Sequence, residues 1–217
     1  MSMTQGAEKY TLDPRTLLGS TPKADALRTY LEQLSAHTSC TQLPSPDIKV
    51  YQDVIYYNYY PLGLSLMFVA QDGSKSLKNV DPQSDLLVLD SIDIYNPEGP
   101  SKSASSKPSS DSQEYQLYPT FPLILSLLPS KEASSPRADT FSLTAASTGK
   151  EVISALGEPD RKGGGAGPSS GSINIWTEWT RDGIMVEFGG SDARGPQAWE
   201  RGKEAKWKVL TLFRSKG

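Results

Sequence analysis

Tyr56-Tyr57-Asn58-Tyr59-Tyr60-Pro61-Leu62-Gly63-Leu64-Ser65-Leu66-Met67-Phe68 has a counterpart 120 positions later, Trp176-Thr177-Glu178-Trp179-Thr180-Arg181-Asp182-Gly183-Ile184-Met185-Val186-Glu187-Phe188. Aromatic residues coincide at 56/176 and 59/179, glycine at 63/183, β-formers at 64/184 and 66/186, and phenylalanine at 68/188. A helix-like segment precedes each stretch and a short apolar strand follows it. This order predicts an α+β protein of two related α-β-β-β halves with a mainly antiparallel sheet. The matched residues are those that a packed sheet needs, and none of them is a catalytic group.

Outward from that pair, periodicity defines the elements. Thr21-Pro22 reads as a helix start. Leu27, Tyr30, Leu31 and Leu34 then fall at i, i+3, i+4 and i+7, one apolar stripe. Residues 48–57 read as one strand, 62–69 as its return and 86–95 as a third strand. In the second half Thr148 and Glu151 match a capping box, with Gly157 and Pro159 as the stop. There, 161–172 reads as a glycine-serine loop, 173–180 and 184–188 as a hairpin, 189–202 as an irregular excursion and 205–213 as the last strand. The organisation expected is a flexible leader at 1–15, a first repeat at 16–100, a Ser-rich linker at 101–118 and a second repeat at 119–217.

Composition narrows the function classes. A net charge of -3 and a pI near 5.3 argue against nucleic acid as partner. Residues 1–12 are polar, so no secretory signal is expected, and the longest apolar stretch, 123–128, is too short to span a bilayer. No membrane insertion is therefore expected. One cysteine, Cys40, excludes an intrachain disulfide and fits a reducing compartment, so the expected location is cytoplasmic, with the nucleus left open.

Candidate chemistry meets a plainer reading at each turn. Gly163-Gly164-Gly165-Ala166-Gly167 lacks a following Gly-Lys-Ser/Thr, and it follows a helix instead of opening one, so it is no phosphate cradle. His37 and Cys40 supply too few ligands for a metal. Asp90 and Asp93 differ by an odd number and should face opposite ways on a strand, which weakens a paired-carboxylate mechanism. No catalytic residue, metal or cofactor is expected. The aromatic residues Tyr57, Tyr59, Tyr60, Trp176 and Trp179 are more than one buried sheet face needs. They are the candidate surface for another protein, set against ordinary sheet packing. Residues 101–112 hold seven serines and two lysines, with Ser105, Ser106, Ser109 and Ser110 as candidate phosphorylation sites.

A capped helix ending in Leu156-Gly157-Glu158-Pro159, followed by strands carrying a spaced aromatic and Gly183-Ile184-Met185-Val186-Glu187-Phe188, resembles the repeat unit of BamE-like domains. In tandem, with Leu62 to Phe68 and Leu87 to Tyr95 as the looser match, the arrangement resembles the phagosome assembly factor family. That resemblance implies a non-catalytic adaptor working in a complex. The expected function is thus a protein-interaction module or subunit of a cytosolic complex. Its alternative is a binder of a small apolar ligand, or a carboxylate-dependent enzyme, with a cleft between the halves that uses Asp90 or Asp93 and a tyrosine.

Overall fold

The computed structural model describes residues 12–98, 113–129, 137–166 and 172–215. Helix α1 (Asp25–Ala36) precedes four strands, β1 (Asp47–Val50), β2 (Ile55–Tyr59), β3 (Leu64–Ala70) and β4 (Leu87–Tyr95). A small two-stranded sheet, β5 (Leu123–Ser126) with β6 (Thr140–Leu143), comes next. Helix α2 (Gly149–Leu156) then leads into β7 (Arg161–Ala166), β8 (Ser172–Trp179), β9 (Ile184–Phe188), the short α3 (Ala198–Arg201) and β10 (Trp207–Phe213).

The fold is α+β, and its main sheet has the order β1-β2-β3-β4-β10-β9-β8-β7 with every neighbouring pair antiparallel. Exchanging β1–β4 for β7–β10 leaves that order unchanged, with the exchange axis at the β4–β10 seam. Both halves thus contain a helix followed by four strands of the main sheet, one more after each helix than the sequence reading assigned, and the second also holds β5 and β6 ahead of its helix.

The extra strands have physical causes. The single strand expected over 48–57 is broken by the polar Gln52-Asp53 turn, closed by Tyr51 N–H donating to the Val54 carbonyl at 2.9 Å. Its flanking aromatic and β-branched residues disguise the turn as continuous strand. The glycine loop expected over 161–172 is strand β7 as far as Ala166. Glycine is a poor strand former because it has no side chain to pack. Here the Trp176 indole of β8 occupies that space: a Cβ on Gly163 would lie 2.6 Å from its ring. An aromatic neighbour covering an edge glycine in this way restores the missing packing. The excursion over 189–202 also contains α3, and α1 starts at Asp25, about a turn later than Thr21-Pro22 suggests.

Two apolar rows cross the six central strands of the sheet. One runs Tyr59, Leu64, Ile94, Leu210, Val186 and Thr177; the other runs Tyr57, Leu66, Ile92, Leu212, Ile184 and Trp179. The stripe of α1 and Val152 and Leu156 of α2 join these rows in one core. Fully burying a residue of this kind is worth about 1.5–3 kcal/mol. The α2 start is the expected capping box, with Thr148 N–H donating to Glu151 Oε2 at 2.8 Å.

The matched stretches share a turn. Gly63 and Gly183 take positive φ, +56° and +65°. Their N–H groups donate to the carbonyls of Tyr60 and Thr180, and their own carbonyls accept from Tyr95 and Phe213 at 2.9 and 3.0 Å. A side chain fits neither. A Cβ on Gly63 would sit 2.3 Å from the Gln116 carbonyl, because residues 113–118 pass over this end of the sheet. Gly63→Ala should therefore cost about 2 kcal/mol or more in a urea titration. Gly73→Ala, at φ +74° with open space around it, should cost about 1 kcal/mol. Equal losses would mean that the close approach at Gly63 contributes nothing.

Candidate functional site

Strand alternation puts a polar row on the sheet face opposite the apolar rows. It runs Asp47, Asn58, Ser65, Asp93, Thr211, Met185, Glu178 and Arg161 across all eight strands. The seam falls at its centre, where the Thr211 hydroxyl donates to Asp93 Oδ1 at 2.7 Å.

Beside that centre lies a cup of about 490 Å³ walled by Lys49, Tyr51, Tyr56, Asp93, Tyr95 and Tyr115. Tyr115 belongs to the 113–118 segment and stacks on Tyr95, with centroids 3.6 Å apart and planes within 3°. Its other side meets Tyr60 at 4.6 Å, and Tyr51 and Tyr56 form an edge contact at 5.8 Å. Asn58 ties the wall together: its Oδ1 accepts from Ser65 Oγ at 2.8 Å and from the Tyr115 hydroxyl at 2.7 Å. Its amide donates to the Asp47 carbonyl at 3.1 Å. The rings are therefore held in place before any ligand arrives, which lowers the entropic cost of binding.

Asp93 is the chemically unusual wall residue. Burial raises its carboxyl above the usual range, the Thr211 hydrogen bond works against that, and Glu187 raises it further. Among the described residues no cation pairs with it: the one ammonium in the cup, Lys49, binds Asp47 at 3.0 Å. Burial likewise raises Tyr56, Tyr95 and Tyr115, keeping their phenols neutral at physiological pH. The cup thus combines electron-rich ring faces with a desolvated carboxylate, a combination that attracts cations.

The five aromatic residues proposed from sequence divide by burial. Tyr57, Tyr59 and Trp179 are core, exposed by only 3, 6 and 2%. The Tyr57 hydroxyl donates to the Pro82 carbonyl at 2.6 Å, and Trp179 Nε1 donates to the Gly157 carbonyl at 3.0 Å. Burial pushes the Tyr57 and Tyr59 phenols up to about 12. These three side chains are enclosed in the core instead of being presented at the surface. Tyr60 and Trp176 are half-buried; Tyr60 borders the cup and donates to Asp47 Oδ2 at 3.2 Å, while Trp176 lies across Gly163 with Arg161 at 5.9 Å. Ser105, Ser106, Ser109 and Ser110 lie outside the described residues.

Asp93 and a tyrosine, named together from sequence, do meet; Asp90 does not join them. It occupies the β-bulge of β4 facing Met67 and Phe68. Sequence reasoning missed Tyr95, Tyr115, Asn58 and Ser65. The period-2 signal Ser91, Asp93, Tyr95 was available for the first, whereas Tyr115 stands at the edge of a serine-rich run and signals nothing locally. Among the described residues no cluster of three or more metal-ligating side chains forms, and no helix is long and apolar enough to cross a membrane. The chain matches no family model, no curated protein and no solved structure.

Because the native state holds the Asp93 proton more tightly than the unfolded chain, its effect on stability is most favourable below the carboxyl's ordinary value of 3.8. That contribution fades as pH rises through the higher native value. Asp93→Asn, which still accepts from Thr211, should raise stability at pH 7 by about 1 kcal/mol. The gain should vanish below pH ~3.8. Chemical denaturation of both proteins across this range checks it, and a loss of stability at neutral pH would count against an uncompensated charge.

Proposed function

We propose that this protein is a non-catalytic interaction module, an adaptor or subunit of a cytosolic complex, and that it grips a partner protein by seating a basic side chain in the tyrosine cup. One observation carries the reading: Asp93 is a half-buried carboxylate that shares the cup with three tyrosine rings, and among the described residues no cation pairs with it. A lysine or arginine from a partner would supply the missing charge and lie against Tyr56, Tyr95 or Tyr115. Asp53, also in the wall, adds to the negative potential.

Several features support a binding role over a reaction. Asn58, Ser65 and the Tyr115 hydroxyl are occupied in holding the cup's walls, and the chain's one histidine, His37, ends α1 instead of lining the cup. General acid-base work needs a proton-transfer partner poised opposite the carboxylate. The resemblance to tandem BamE-like units implies the same kind of role. A free, half-buried Cys40 fits the cytosolic location.

Peptide pools with one fixed central residue test this reading. Pools fixed at Lys or Arg should bind at least about tenfold better than pools fixed at Gln or Glu. They should shift the amide resonances of Tyr56, Ser65 and Tyr95, and Asp93→Asn should erase the preference. Binding without charge preference, or shifts confined to other surfaces, would refute it.

A further inference from the structure

Thr177 has a buried hydroxyl with no hydrogen-bond partner among the described residues. It lies on β8 in the apolar row, between Val186 and Lys162 in register, and is 3% exposed. Among the described residues its Oγ1 is the buried side-chain polar atom left without a hydrogen bond. A buried hydroxyl that has given up water for nothing is costly, and valine would fill the same space without that cost. Thr177 is also one of the residues lining a cavity of about 340 Å³ between α2, β8 and the 198–203 turn. This volume lies within the range of small-molecule pockets.

The walls define what would fit. Ile175, Phe188 and Thr177 form a buried floor, with Ile153 and the exposed indole of Trp199 above them. The rim carries three exposed ammonium groups, Lys150, Lys162 and Lys203. Glu158 answers one of these charges, 3.6 Å from Lys162, leaving the rim net positive. Lys162 also sits 5.8 Å from the Trp199 ring centre. The start of α2 is not the anion receptor. Its first amides already donate to the carbonyls of Ala205 and Lys203 and to the Thr148 side chain. Charge recognition therefore falls to the lysines.

We infer that this cavity is a second binding site, for a small organic carboxylate whose apolar body carries one polar atom at its far end. The carboxylate would meet the lysine rim, the body would lie on Ile175 and Phe188 beside Trp199, and the distal polar atom would pair with Thr177. This site is on the helix-covered face of the sheet, away from the tyrosine cup, and it stands or falls independently of the proposed role of that cup.

Three probes separate the contributions: 6-hydroxy-2-naphthoate, 2-naphthoate without the distal hydroxyl, and 2-naphthol without the carboxylate. Titrations followed by amide and indole resonances should place the first at Ile175, Thr177 and Trp199. It should bind about fivefold tighter than 2-naphthoate and about tenfold tighter than 2-naphthol. Thr177→Val should abolish the first difference while raising the unliganded Tm by about 2–4 °C. Lys162→Gln with Lys203→Gln, both at exposed positions, should abolish the second. Equal binding of the three probes, shifts elsewhere on the protein, or no binding by any of them would overturn the assignment.

Discussion

The pairing of β4 with β10 is the contact on which the rest of the structure depends. Five registered pairs, from Val209 opposite Tyr95 to Phe213 opposite Ser91, turn two four-stranded halves into one eight-stranded sheet. An edge strand with unpaired amides is a liability in water, and joining the halves at this edge removes one from each. The seam also makes the apolar rows continuous, so that Ile92 and Ile94 of one half sit directly opposite Leu212 and Leu210 of the other. A sheet interrupted there would expose those rows on both sides.

The same seam creates the polar centre. Asp93 and Thr211 pair across it, and both are far from the outer strands where water would solvate a carboxylate readily. Placing the charge in mid-sheet, in a cup that Tyr115 from the segment after the serine-rich run helps to wall, partly desolvates this strand aspartate. That segment reaches the cup by crossing the sheet end at Gly63, where only a residue without a side chain leaves room. Backbone permissiveness at one turn and electrostatics in the cup are therefore linked through the path of a single strap.

The two faces of the sheet divide the binding chemistry. The polar face offers negative potential and ring surfaces, with Asp93 and Asp53 outnumbering a Lys49 already engaged. The helix-covered face offers an apolar cavity with a positive rim, where Lys150, Lys162 and Lys203 surround Trp199. At a net charge of only -3 the protein has no dominant overall field, and the charge contrast between the two faces is local.

From the chain alone, the α1 stripe, the Thr148–Glu151 cap and the recurring Gly63 and Gly183 turns were legible, because each depends on residues within one or two turns of one another. The alternation of β4 also carried the signal, unread at the sequence level, that Asp93 and Tyr95 share a face. Other outcomes needed the third dimension. Gly163 lies in a strand only because Trp176 covers it, and Tyr57, Tyr59 and Trp179 are core only because helices cover that side of the sheet. Tyr115 reaches Tyr95 from twenty residues away, and Thr177 is buried on a face where it lines one cavity with α2 and the 198–203 turn. Short-range spacing encodes the elements; desolvation depends on which distant elements come together, and so both candidate sites belong to the tertiary structure.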